Sequence, residues 1–92
     1  MTKKREQLES VGVIIRQFRT ARRFSQKRVG IEMDVSASYI SLLESGKSYP
    51  SIGTLIRLAE AMKVRPGELL DAIAEREKIM QAKTDPADEQ NK

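Results

Sequence analysis

Residues 25–50 read SQKRVGIEMDVSASYISLLESGKSYP, and this stretch decides the fold that we predict for the chain. A first helix is predicted over Gln26–Met33, opened by Ser25, whose side chain can accept a hydrogen bond from an unpaired backbone N–H. A second helix is predicted over Ala37–Glu44 and is opened in the same way by Ser36. The apolar side chains spaced to face inward together are Val29, Met33, Val35, Ile40 and Leu43.

Two short helices joined by a tight turn, with basic residues around the first, have the shape of a DNA-binding helix-turn-helix. The second helix would enter the major groove, and we predict that its base-facing residues are Ala37, Ser38, Tyr39 and Leu42. Small and apolar groups suit contacts with thymine methyls and readout of DNA shape, so we expect modest base specificity. An alternative for Tyr39 is that its ring packs over the surface between the two helices.

Polar groups beside this helix pair predict phosphate contacts at two places. At the start of the first helix, outward-pointing N–H groups and the positive end of the helix dipole are accompanied by Gln26, Lys27 and Arg28. Directly after the second helix, Lys47, Ser48 and exposed backbone N–H groups form a second candidate. Two phosphate contacts that flank one helix would fix its angle in the groove.

Further residues extend the pattern of this helix pair over about 60 residues, from Val11 to Leu70, with matching spacing. They are Arg16, Arg19, Ser25, Gln26, Val35, Ser36, Ile40, Ser41, Glu44, Gly46, Lys47, Pro50, Ser51, Leu55, Leu58, Ala59, Leu69 and Leu70. Together they resemble the Cro and phage-repressor family, often called XRE-like. The resemblance implies an all-α fold, a compact five-helix, lambda-repressor-like helix-turn-helix domain with an extended C-terminal helix. It also implies a structural ion pair between Arg19 and a carboxylate such as Glu44.

Two departures from the usual family pattern concern the backbone. Val29 and Gly30 stand where a leucine–alanine pair is usual. Gly30 leaves room for close approach of the next helix, at a cost of about 1 kcal/mol relative to alanine in a helix interior. Asp34 stands at the turn where glycine is usual, and we expect it to adopt the left-handed conformation, which aspartate tolerates better than most residues.

Charge and polarity divide the 92 residues into one domain and two tails. Residues 1–28 carry nine Lys/Arg and two Glu. Residues 29–64 carry three basic and four acidic residues, and residues 65–92 carry five basic and seven acidic residues. This asymmetry fits a surface that meets a polyanion. We predict a flexible basic tail over 1–9, the helix-turn-helix domain with its C-terminal helix over 10–82, and a disordered polar tail over 83–92. The N-terminal tail is either an arm that reaches DNA or merely solvated.

Three more helices complete the predicted domain, about Val11–Arg23 opened by Ser10, Ile52–Met62 after Ser51, and Pro66–Ala82. The last carries an apolar stripe that is longer than a five-helix domain needs for its own core. This excess predicts a dimer surface of Leu70, Ile73, Ala74 and Met80. The alternative is a frayed amphipathic helix end.

The residue types exclude several classes of chemistry. Histidine and cysteine are absent, so nucleophilic triads and the common zinc sites cannot form in their usual ways. We therefore predict no enzyme activity, no cofactor and no metal. No segment approaches the roughly 18 apolar residues of a membrane span, and the polar N-terminus lacks the apolar part of a signal peptide. We expect a cytoplasmic protein without a membrane partner.

Together these features predict a sequence-selective transcriptional regulator, of the repressor or controller type, that binds double-stranded DNA as a homodimer on a two-fold operator. The resemblance implies regulators of prokaryotic or phage type. The alternative is a protein-interaction module, such as an antitoxin or adaptor, whose main partner is another protein such as a toxin or polymerase. The weakly polar second helix and the long apolar C-terminal helix favour this alternative, and the two predicted phosphate contacts oppose it.

Overall fold

Five helices make up the part of the chain that the computed structural model describes, which is residues 2–84 with side chains from residue 10 to 82. They are α1 (Thr2–Ala21), α2 (Gln26–Met33), α3 (Ala37–Ser45), α4 (Ile52–Ala61) and α5 (Pro66–Thr84). No strand occurs within these residues, and the predicted all-α fold is confirmed. No helix between residues 2 and 84 is long and apolar enough to cross a bilayer. Of the polar tail predicted over 83–92, residues 85–92 lie outside the described part.

Helix α1 differs most from its prediction. It begins at Thr2, within the segment predicted as a flexible tail, and ends at Ala21 rather than at Arg23. Lysine, arginine, glutamate and glutamine dominate this segment and have high helix propensity, and neither glycine nor proline interrupts them. Ser10 therefore lies buried in a helix interior, and its predicted role as a helix cap is wrong.

The core forms where α3 packs against α1 and α2, and where α5 packs against α1 and α4. Residues predicted to face inward from the helix pair are buried or, for Val35, packed against the core, so that prediction is confirmed. Each large buried apolar side chain contributes about 1.5–3 kcal/mol relative to full exposure. The largest fully buried ones are Ile15, Ile40, Leu43, Leu58, Met62 and Leu69.

The apolar stripe of α5 is covered further along the helix than the sequence predicts. Ile73 is only 7% exposed and belongs to the core, where α5 packs against α1 and α4. Ile73 therefore has little surface left for a second chain, contrary to the prediction. Leu70 and Met80 are half-buried and Ala74 is exposed, and their place in a dimer surface stays a prediction.

The turn between α2 and α3 depends on a residue with a left-handed backbone. Asp34 has φ 61° and ψ 43°, which confirms the predicted conformation. The N–H groups of Asp34 and Val35 donate to the carbonyl oxygens of Ile31 and Gly30, at 3.2 and 2.8 Å, and so close the C-terminus of α2. Arg57 adds a tie from α4, since its Nη2 donates to the Met33 carbonyl oxygen at 2.8 Å. The angle between α2 and α3 is thus held both by the turn and by α4.

Two glycines allow backbones to approach closely. A Cβ atom on Gly30 would lie 2.7 Å from the Val35 carbonyl oxygen, so the predicted need for space is confirmed. A Cβ atom on Gly12 would lie 2.6 Å from the Leu43 carbonyl oxygen and would also overlap the carbonyl of Glu44. Helix α1 therefore touches the backbone of α3 at Gly12, a contact that the sequence does not signal.

We expect Gly12→Ala to lower the free energy of unfolding by about 1–3 kcal/mol, because the new methyl group would push α1 away from α3. Urea unfolding followed by circular dichroism measures the change. Gly53→Ala is the matched control, since a Cβ atom there meets only the Ser51 hydroxyl oxygen at 3.8 Å. This control should gain up to about 1 kcal/mol from helix propensity. Equal stability of Gly12→Ala and the wild type would contradict the close approach.

Asp34→Gly should raise the free energy of unfolding by about 0.5–1 kcal/mol, because glycine adopts the left-handed backbone without the steric cost of a Cβ atom. Asp34→Ala separates this effect from the loss of the carboxylate, since alanine keeps the Cβ atom. The alanine variant should be no more stable than the wild type. If both variants gained stability equally in the same urea experiment, the charge of Asp34 and not its backbone would be the cause.

Candidate nucleic-acid interface

Serine hydroxyls fix where α2 and α3 begin. The Ser25 Oγ accepts a hydrogen bond from the Arg28 N–H at 2.9 Å, and the Ser36 Oγ accepts one from the Tyr39 N–H at 3.0 Å. Both predicted caps are confirmed, and each stabilises its helix by about 1 kcal/mol. The caps fix where each helix begins, and the buried apolar side chains of each helix decide which side faces solvent.

The outer side of α3 is formed by small and apolar groups. Ser38 and Leu42 are exposed, whereas Ala37 is half-buried. Tyr39 is half-buried as well and packs against the core, as the alternative interpretation of its ring predicts. Ser38 and Leu42 are thus the predicted base-facing side chains with the most free surface, and their contact with bases stays a prediction.

The first predicted phosphate contact lies at the start of α2. The first intrahelical hydrogen bond there is made by the Val29 N–H to the Ser25 carbonyl oxygen, at 3.1 Å. The N–H groups of Gln26 and Lys27 precede it and point outward from the helix end. Lys27 and Arg28 are exposed. The first turn of α2 therefore offers both N–H groups and cations to an anion.

Two predicted side chains in this turn have partners within the chain. The Arg28 guanidinium lies 4.2 Å from the centroid of the Phe24 ring, an arrangement that limits its freedom. The Gln26 Nε2 donates to Oε1 of Glu44 at 3.0 Å. The amide that we predict as a phosphate contact is therefore held in place by a carboxylate of α3.

At the second predicted phosphate contact, directly after α3, backbone N–H groups are used within the chain. The N–H groups of Lys47 and Ser48 both donate to the Leu42 carbonyl oxygen, at 3.0 and 3.3 Å, and so close the C-terminus of α3. Gly46 makes this closure possible with a left-handed φ of 82°. The N–H groups of Lys47 and Ser48 are therefore not free for phosphate. The Lys47 side chain is exposed, and its phosphate contact, like that of Ser48, stays a prediction.

The Arg19–Glu44 ion pair connects α1 to α3. Arg19 Nε donates to Glu44 Oε2 at 2.5 Å, and Nη2 donates to Oε1 at 3.0 Å, which confirms the predicted pairing. The Arg19 Nη1 donates to the Phe24 carbonyl oxygen at 2.7 Å. The two side chains are only 12% and 5% exposed. The hydrogen bonds to the carboxylate raise the pKa of the Arg19 guanidinium, which therefore stays charged.

Comparison with known proteins adds a family to this geometry. A helix-turn-helix family model matches residues 15–69, which include both predicted phosphate contacts and all of α3. Among curated protein sequences, none matches the chain.

Solved structures of two regulators are similar to the chain. The restriction-modification controller protein C.AhdI from Aeromonas hydrophila is 30% identical, with 70% of this chain and 93% of that chain covered and a TM-score of 0.66. The clp gene regulator ClgR from Corynebacterium glutamicum is 25% identical, with 88% and 86% covered and a TM-score of 0.76. A second structure of ClgR gives 75% and 90% coverage and a TM-score of 0.70. The family match spans more than half of the chain and α3 has the predicted geometry, so the chain belongs to the helix-turn-helix family of the Cro and phage-repressor, or XRE-like, type.

Proposed function

We propose that this protein is a transcriptional regulator that binds double-stranded DNA in a sequence-selective way, with α3 in the major groove. One observation carries the proposal. The inner residues Ile40 and Leu43 of α3 are fully buried, while Ser38 and Leu42 on its other side are exposed. A helix whose inner side is packed in the core and whose outer side is exposed can enter the groove without rearrangement. The names of the similar structures, a controller protein and a gene regulator, support the same function.

The chemistry of the free side of α3 favours moderate selectivity. The Ser38 hydroxyl can donate to or accept from several bases, so it discriminates poorly among them. Leu42 and the exposed part of Ala37 can contact thymine methyls. Most of the affinity would then come from phosphates, through Gln26, Lys27 and other polar groups beside α3, and it would fall steeply with added salt. A protein of this kind acts as a repressor or controller by occupying its operator.

A homodimer on a two-fold operator follows from the same proposal, because two copies of α3 would then reach successive major grooves about 34–36 Å apart. Besides the predicted α5 residues, α4 and the loop before it expose a second apolar surface. It consists of Tyr49, Ile52 and Ile56, which are 58%, 61% and 37% exposed, and we call it the α4 surface. Its side chains are large, apolar and exposed, so we infer that the α4 surface contributes to the dimer.

A protein-interaction module remains the second candidate, and one observation favours it. Ile31 lies on α2 with 68% of its surface exposed, whereas Ile40, the other isoleucine of the helix pair, belongs to the core. Such a side chain suits a contact with another protein, such as a toxin or polymerase. In either case we propose a cytoplasmic protein without a membrane partner.

In vitro selection from a random duplex library at moderate salt should enrich an inverted repeat with half-sites about one helical turn apart. The double variant Gln26→Ala, Lys47→Ala should bind the enriched duplex roughly tenfold more weakly and with a shallower salt dependence, because phosphate contacts are lost. Fluorescence anisotropy titrations at several salt concentrations measure both quantities.

The matched control for this experiment is Gln17→Ala, Lys78→Ala, which removes the same groups from exposed positions of α1 and α5. It should bind like the wild type. Wild-type affinity in the Gln26, Lys47 double variant would contradict the assigned phosphate contacts. Duplex retention without any enriched sequence would favour the protein-interaction module instead.

Ile52→Glu should halve the sedimentation mass, because it places a charge in the α4 surface that a second copy would cover. Circular dichroism should show an intact fold, since Ile52 is largely exposed. Ile31→Glu is the control, as it makes the same change on α2 and should leave the dimer intact. If Ala74→Glu alone produced the monomer, the dimer surface would lie on α5, as the sequence predicts. An unchanged mass in both variants would contradict both surfaces.

A further inference from the structure

We propose that Arg19 is a positioning residue for the phosphate contact of Gln26, and that it acts through Glu44. Arg19 would orient the carboxylate that holds the Gln26 amide and would also cancel the charge of that carboxylate. The inference rests on the proposed function, since it requires Gln26 to contact phosphate. It gives the ion pair a role in DNA binding besides its role in joining α1 to α3.

The geometry of the hydrogen bonds supports the orienting role. Glu44 Oε2 accepts from Arg19 Nε at 2.5 Å, while Oε1 accepts from both Arg19 Nη2 and Gln26 Nε2 at 3.0 Å. A planar guanidinium that binds both carboxylate oxygens fixes the plane of the carboxylate. The direction of Oε1, and with it the position of the Gln26 amide, is then set by Arg19. The amide nitrogen keeps a second N–H, which can donate to a phosphate oxygen.

The charge of Glu44 explains why a cation is needed here. Its carboxylate accepts a hydrogen bond from Gln26, one predicted phosphate contact. Glu44 also lies three residues before Lys47, which belongs to the other predicted phosphate contact. Two hydrogen bonds in series through the amide nitrogen would separate a phosphate from Oε1 by roughly 6 Å. At that distance, and at an effective dielectric constant of about 40, two unit negative charges repel enough to weaken binding roughly tenfold. Arg19 removes this repulsion.

Arg19 itself is not placed to touch DNA. Its Nε and Nη2 are bonded to Glu44, its Nη1 donates to the Phe24 carbonyl oxygen, and the side chain is 12% exposed. The contact with phosphate is therefore left to Gln26, and Arg19 acts on Gln26 only through Glu44.

The test compares Arg19→Met, Glu44→Gln and the double variant by fluorescence anisotropy with a labelled duplex recovered by the selection. Arg19→Met should bind roughly tenfold more weakly than the wild type, because it leaves the carboxylate uncompensated. The double variant should return to within about threefold of the wild type, although it also lacks the ion pair. Glu44→Gln keeps an oxygen for the Gln26 amide and should bind at least as tightly as the wild type. Arg16→Met, at an exposed position of α1, is the control for loss of one cation.

A purely structural ion pair predicts a different result. Thermal unfolding of every variant gives a temperature at which all of them are fully folded, and DNA affinities compared at that temperature cannot differ through stability. A double variant that binds as weakly as Arg19→Met overturns the inference. If Arg19→Met does not fold, the test rests on Glu44→Gln. Weaker DNA binding by Glu44→Gln than by the wild type then overturns the inference. A wild type that binds no duplex refutes the proposed function itself, whereas a wild type that binds with Arg19→Met unaffected refutes the inference alone.

Discussion

The contact between α1 and α3 is the constraint on which the rest of the domain depends. Gly12 allows the two backbones to touch, and the Arg19–Glu44 ion pair fixes their position along each other. The pair is half-buried, so either charge alone would lose part of its hydration without a partner. Because α3 is held from behind by α1, its free side does not need to take part in stabilising the fold. Helix α2 also packs against α3, and its first turn lies beside the Glu44 carboxylate.

Much of this arrangement could be predicted from local sequence signals. Ser25 and Ser36 predict the starts of α2 and α3, because a capping hydroxyl bonds to an N–H group within one turn of the chain. Asp34 marks the turn for the same reason, since a left-handed backbone is a property of one residue and its neighbours. The spacing of apolar residues then identifies the buried side of each helix. These signals need no knowledge of distant residues.

The features that escaped prediction depend on residues that are far apart in sequence. The contact of Gly12 with α3 and the hydrogen bond from Arg57 to the end of α2 exist only once the helices are packed. The same reason explains Ile73, which is buried where α5 packs against α1 and α4. The sequence also does not show that the N–H groups of Lys47 and Ser48 close the end of α3, where an anion would otherwise use them. Where one donor has two potential acceptors, the sequence alone does not decide between them.

The division of α3 into a buried and a free side has a consequence for how this protein can evolve. Substitutions at Ser38 or Leu42 change surface that the core does not use, so, under the proposed function, a new operator preference can arise there with little loss of stability. Tyr39 lacks this freedom, since its ring also packs against the core. Paralogues of such a domain can therefore diverge in the DNA that they recognise while their cores stay alike. Separate target genes could then come under the control of copies that still fold in the same way.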